Sequence, residues 1–155
     1  MQFLKKLFGF GTKKKSCCGC GGCKLPISEP EKTVLKQIDD KIVIGKVVAL
    51  ATHPDPKMTK VRVTKTLVGP DQEEQILCGG VNLEEGDVVA VATVGTKLSE
   101  DFEIGVREIR GVESRGMICS RGELGITEVE AEKGGIWKLP ANFESKLGQK
   151  LKDLV

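Results

Sequence analysis

From residue 42 to residue 120 the apolar residues recur in short, β-branched runs, and every run ends in residues that turn a chain. The runs occupy 42–52, 61–68, 75–78, 87–94, 103–110 and 117–120. Their separators, HPDPKMTK, GPDQEE, GGVNLEEG, GTKLSED and GVESRG, are rich in Gly, Pro, Asn, Asp or charge, as turns require. No long helical period intervenes, so these are not the strands of a parallel βαβ sheet. Five or six short strands in about 80 residues predict a small closed or nearly closed antiparallel barrel.

The flanks read differently. Ser28 and Glu31 have capping-box spacing, Pro30 is tolerated in a first turn, and Val34, Leu35 and Ile38 form an apolar stripe, so one short helix precedes the barrel. After residue 126 come a Gly-Gly turn, an expected strand at 136–139, and a closing helical stretch with Leu147, Leu151 and Leu154 on one face. Trp137 is expected to pack this extension onto the barrel. The expected organisation is an arm at 1–28, a short helix and linker at 29–40, and a barrel domain with its carboxy-terminal extension at 41–155.

Charge separates the arm from the rest. The chain has 24 Lys and Arg against 22 Asp and Glu, yet residues 1–24 hold six lysines and no acid, leaving 18 basic and 22 acidic groups in 25–155. A basic arm on a globular module points to an anionic partner such as nucleic acid or a membrane surface. The glycines and lysines of 9–24 bury too little apolar surface to offset ordering, so the arm is expected to be flexible. One histidine, His53, and no tyrosine exclude paired-His metal hydrolases and leave little from which to build a catalytic triad, so a turn-stabilising or RNA-facing role is assigned to His53. No run approaches the 18 apolar residues of a membrane span, Gln2 excludes myristoylation, and a cytoplasmic location with reduced cysteines is expected.

Cys17, Cys18, Cys20 and Cys23 of CCGCGGC form the one metal-like cluster. Two-residue gaps let thiolates chelate a single ion, and soft ligands favour zinc or another thiophilic metal. The competing reading is a thiol-rich tail that oxidises or takes up metal adventitiously, since seven residues leave little chain to wrap a tetrahedral site. Cys78 and Cys119 lie in apolar runs and are expected to be small buried hydrophobes.

IGKVVALATHP, VRVTK, ILCGGVN, EEGDVVAVATVGTKL, DFEIGVREIRGVESRGMICS and ELGI occur here in an order and spacing that resemble the tRNA-binding domain of bacterial phenylalanyl-tRNA synthetase beta chains and of stand-alone tRNA-binding proteins. GIWKLP and LGQKL extend the similarity towards Val155. The resemblance implies an OB barrel within an otherwise all-β core, short helices at both ends, a non-catalytic role and tRNA as partner. It is also compatible with association with an aminoacyl-tRNA synthetase or a second copy of the chain. One departure is local: HPDPKMTK is about two residues longer than the family loop, with Thr59 where Asp is usual and Lys60 on the family lysine.

The charge distribution suggests where RNA would lie. Residues 42–70 hold five basic groups and one acid, whereas 71–104 hold nine acids and one lysine. Lys46, Lys57, Lys60, Arg62 and Lys65 are expected to make a basic face, joined by Arg107, Arg110, Ser114 and Arg115 of the segment around RGVES. Guanidinium groups bind phosphates through planar forks, and Gly111 and Gly116 permit tight bends. The competing reading has these arginines paired with Glu108 and Glu113 on a solvated rim. Because 42–126 contains a single aromatic, Phe102, base stacking is expected to be weak, and recognition of a structured RNA through phosphates, 2′-hydroxyls and shape is favoured. The alternatives of another class are a metal or thiol carrier acting through CCGCGGC, and a synthetase-associated module without strong RNA affinity.

Overall fold

The structure, a computed structural model, describes residues 27–129 and 133–155. A meander opens it: β1 (Ile42–Thr52), β2 (Arg62–Gly69) and β3 (Gln72–Cys78) pair antiparallel in succession. β4 (Val88–Ala92) then pairs with the other edge of β1. After β5 (Lys97–Ser99), β6 (Phe102–Glu103), β7 (Val106–Ile109) and β8 (Val112–Arg115), β9 (Met117–Ile118) returns to β4. β9 and β8 also pack on β3. The sequence β3-β2-β1-β4-β9, closed by packing back onto β3, is the five-stranded, partly open barrel of the OB fold.

Two faces of the same strands build two cores. β1 and β4 pair Val43 with Val91 and Gly45 with Val89, and these residues face the barrel interior with Val47, Ile76 and Ile118. Thr64 and Thr66 also lie inside, fully buried; their hydroxyls bond each other at 3.0 Å, and Thr64 donates to Ile76 O at 2.9 Å. The alternate residues Ile42, Ile44, Val88, Ala90 and Ala92 face outward into a second apolar layer. That layer is supplied by Leu35 from α1 (Glu29–Leu35) and by Trp137, Leu139, Phe143 and Leu151 from the carboxy-terminal extension. β4 is therefore buried at all five positions, which explains its unbroken apolar run where a half-exposed strand would alternate. Fully burying each of Trp137 and Phe143 is worth about 2–3 kcal/mol, so the extension is a fixed part of the barrel.

At the amino-terminal flank, the Ser28 amide and hydroxyl both donate to Glu31 at 2.7 Å, closing the start of α1. The second Glu31 oxygen accepts the Thr127 amide at 3.1 Å, which ties the helix to the segment after β9. Asp39 accepts the Lys97 and Lys41 amides, each at 2.9 Å.

Five sequence expectations require correction. GTKLSED, read as a separator, contains β5, and the strand expected at 103–110 is interrupted at 104–105, between β6 and β7. The closing stretch is not one helix: it is two 3-10 turns, Ala141–Lys146 and Leu151–Leu154, separated at Gly148, whose φ of 80° no continuing helix accepts. The expected strand at 136–139 shortens to β10 (Lys138–Leu139), the part that pairs with β4. GVESRG, read as a separator, contains strand β8. Val112 is its only apolar residue, so the alternation that signals a strand is missing; pairing with β7 and packing on β3 create it instead.

Candidate nucleic-acid interface

OB barrels present ligands to the face of their second and third strands and to the loops joining strands one to two and four to five. Here those loops are residues 53–61 and the long excursion between β4 and β9, which contains the β7–β8 hairpin. The hairpin turns at Arg110 and Gly111, with φ values of 48° and 82°. Positive φ at both central positions is the type I′ geometry that matches the twist of paired strands, and only the second position has the glycine that suits it. Arg110 is the described residue other than glycine held at positive φ, a strain typical of sites where a side chain must be aimed.

Loop and hairpin are fastened to each other. His53 is buried, and its Nε2–H donates to Ile109 O at 3.1 Å. Its Nδ1 accepts the Asp55 amide at 3.0 Å, so both ring nitrogens are occupied and the neutral Nε2–H tautomer is selected. Asp55 carries the second link: one oxygen accepts the Lys57 amide at 2.8 Å and the other lies 3.3 Å from Arg110 Nη1. Turns from Asp55 O to Met58 N and from Met58 O to Val61 N absorb the extra length of the loop and leave Lys57 and Lys60 exposed.

A third and fourth bond hold the hairpin stem to β3. Gln75 Nε2 donates to Glu113 O at 2.8 Å, and Ser114 Oγ accepts the Leu77 amide at 3.0 Å while donating to Gly116 O at 3.3 Å. Gly116, at φ 120°, then lets the chain pass into β9: a Cβ there would meet Ala92 O at 2.8 Å.

The structure distributes the nine basic-face and hairpin candidates unevenly. Lys57, Lys60, Lys65, Arg107, Arg110 and Arg115 are exposed at or beside the loop and hairpin. Lys65 points outward from β2 opposite Gln75, with Glu73 at 3.9 Å. Lys46 is half-buried and pairs with Glu144 of the extension, and Arg62 is half-buried with Nη1 donating to Leu83 O at 3.0 Å. Ser114 is 5 % exposed, with its hydroxyl engaged as described. Within the hairpin, Arg107 and Ser114 share one face while Val106 and Arg115 share the other. Arg115 pairs with Glu113, as the solvated-rim reading has it, whereas Arg110 pairs with Asp55 across the two loops. Exposed pairs of this kind are worth about 0–1 kcal/mol, so a phosphate can displace them. The fastening roles of His53 and Asp55 were not legible in sequence beyond the turn signal of HPDP. Cys17, Cys18, Cys20 and Cys23 lie outside the described residues. Cys78 and Cys119 are buried thiols whose pKa values burial raises, that of Cys119 to about 12.

Comparison with known proteins identifies what kind of barrel this is. A family model described as putative tRNA binding domain matches residues 42–148, which include the barrel strands, loop 53–61 and the whole hairpin. The chain belongs to this family. Within the tRNA-binding module, similarity to phenylalanine–tRNA ligase beta subunits is high: 46% identity over 101 residues with that of Dickeya dadantii (strain 3937), covering 65% of this chain and 12% of the relative. The beta subunit of Pasteurella multocida (strain Pm70) is 45% identical over 112 residues, covering 72% of this chain and 13% of the relative. The chain thus spans about one eighth of these curated relatives. A solved MetRS related protein from Pyrococcus horikoshii is similar over 70% of this chain and 86% of its own, at TM-score 0.48 and 19% identity. The tRNA-binding module has no helix among its described residues that is long and apolar enough to cross a membrane.

Proposed function

We propose that this chain binds folded tRNA in the cytoplasm without catalysing a reaction on it, and that the contact surface is loop 53–61 together with the β7–β8 hairpin. The observation that carries this reading is the fastening of the two segments by His53 and by the Asp55–Arg110 pair. Because of it, Lys57 and Lys60 on the loop and Arg107, Arg110 and Arg115 on the hairpin move as one body. A rigid array of cations selects a folded backbone by the spacing of its phosphates, where a flexible array gives only nonspecific attraction. The similarity to phenylalanine–tRNA ligase beta subunits over this same segment supports tRNA as the polyanion. The six lysines of residues 1–24 add positive charge to the chain. His53 is unsuited to proton transfer, since both its nitrogens serve the fold.

The test is replacement of Arg110 and Arg115 together by Ala. Each charge-assisted phosphate contact contributes about 1.5 kcal/mol and each abandoned ion pair returns about 0.5, so the double variant should lose about 2 kcal/mol, some thirtyfold in affinity. Double replacement by Lys should recover part of this, because Lys restores charge but not the planar fork. Full affinity in the double Ala variant would place the RNA elsewhere.

A further inference from the structure

Arg107 differs from its neighbours. Arg110 and Arg115 each hold an acid, whereas Arg107, among the described residues, holds none: its guanidinium carbon lies over the Phe102 ring, 5.3 Å from the centroid. Phe102 differs as well. The other aromatics among the described residues, Trp137 and Phe143, are 1 % and 0 % exposed, while Phe102 is 38 % exposed. Beside this pair runs a groove of about 150 Å³, walled by Leu77, Ile104, Ile109 and Met117. Its floor has little to offer a polar group, because the Ser114 hydroxyl is already taken by the Leu77 amide and Gly116 O.

An occupant of this groove must be small, flat and apolar on its faces, and must carry negative charge close by to meet the unneutralised Arg107. A nucleotide has both properties: a planar ring for the Phe102–Arg107 stack and a phosphate for the surrounding cations. A peptide side chain that filled the groove would meet Arg107 only if a carboxylate happened to flank it, whereas every nucleotide of a strand carries its own phosphate. We propose that the groove formed by Phe102, Arg107 and the inner face of the β7–β8 hairpin takes one unpaired base of the bound RNA; this rests on the tRNA reading above. The Ser114 hydroxyl is engaged and the other side chains of the walls are apolar, which leaves the Arg107 guanidinium as the side-chain donor at the groove; it therefore anchors an unpaired nucleotide with little reading of its identity. A single stacking position is consistent with a module that otherwise holds RNA through its backbone.

The experiment titrates an unmodified tRNA transcript against the full chain and its Phe102→Ala, Phe102→Leu and Phe102→Trp variants at several salt concentrations, beside a melting curve for each. Loss of one base–aromatic stack should lower the affinity of Phe102→Ala about tenfold while leaving its salt slope unchanged, because no charge is removed. Phe102→Leu, apolar but without a π face, should behave like Ala. Phe102→Trp should bind at least as tightly as the native protein, and its added emission should be quenched by tRNA; the native Trp137, being buried, should not respond. Equal affinity for the Ala and native proteins, or full recovery by Leu, would overturn the proposal. So would unchanged tRNA binding by Phe102→Ala with altered sedimentation, which would give the groove to a protein contact. A native protein whose tRNA binding ignores salt would instead sink the phosphate reading, and the stacking site with it.

Discussion

Ser114 separates an RNA contact from a structural bolt. Ser114→Ala removes one oxygen, leaving the Leu77 amide without its acceptor and Gly116 O without that donor. Both residues at the bond are nearly buried, Leu77 at 9 % and Ser114 at 5 % exposure, and an orphaned buried donor costs about 1–3 kcal/mol. The groove lined by Leu77, Ser114 and Gly116 opens to solvent, so water can reach the abandoned amide and the cost falls in the lower half of that range, about 1–2 kcal/mol. In thermal unfolding this lowers the midpoint by roughly 3–8 °C for a domain of this size. The hairpin stays held by Gln75, His53 and Asp55, so tRNA affinity should stay within about threefold, some 0.6 kcal/mol. Urea and thermal unfolding followed by circular dichroism, beside an anisotropy titration, give both quantities. An unchanged midpoint with affinity reduced roughly tenfold or more would refute the reasoning and return the hydroxyl to the RNA.

The thiols of Cys78 and Cys119, raised in pKa by burial, should resist iodoacetamide at neutral pH in the native protein and react once it is unfolded. Peptide mass spectrometry reads this directly, and rapid native alkylation of either would contradict the packing. Acid should loosen the amino-terminal flank: bonds from the Ser28 hydroxyl and amide hold the Glu31 pKa below its usual 4.5, and bonds from the Lys97 and Lys41 amides hold that of Asp39 below its usual 3.8. The stability these carboxylates contribute is therefore complete above their ordinary values and is lost as pH falls through the lowered ones. Hydrogen exchange around α1 should rise over that window in the native protein, and less so in Glu31→Gln/Asp39→Asn, where the charge is already gone; identical profiles would remove these groups from the account.

What the sequence made legible follows from what each element rests on. β1, β2 and β4 carry their own apolar pattern, so local composition was enough to find them; α1 carries its own cap. The barrel order was accessible because the motifs from IGKVVALATHP to ELGI are those of the family. β8 was not legible, because Val112-Glu113-Ser114-Arg115 has no strand pattern of its own and is recruited by the Arg110-Gly111 turn and by bonds to β3. The site was legible by residue type and less so by position. Charge counting placed Lys46 and Arg62 with the other cations, but their side chains reach Glu144 and the Leu83 carbonyl, partners that are distant in the chain. The link between His53 and Ile109 spans 56 positions and depends on closure of the barrel, so no local pattern announces it.

The account stands on a polyanion held by a fixed set of cations at one end of the barrel, and the salt dependence of tRNA affinity measures that most directly. If about five phosphates are neutralised, log affinity should fall with log salt at a slope near −4, about two orders of magnitude between 50 and 200 mM, and the slope for Arg110→Ala/Arg115→Ala should be shallower by roughly 1–2. Equal binding of unstructured oligonucleotides, or a slope indifferent to both arginines, would contradict the claim that loop 53–61 and the β7–β8 hairpin present their charges as one rigid surface.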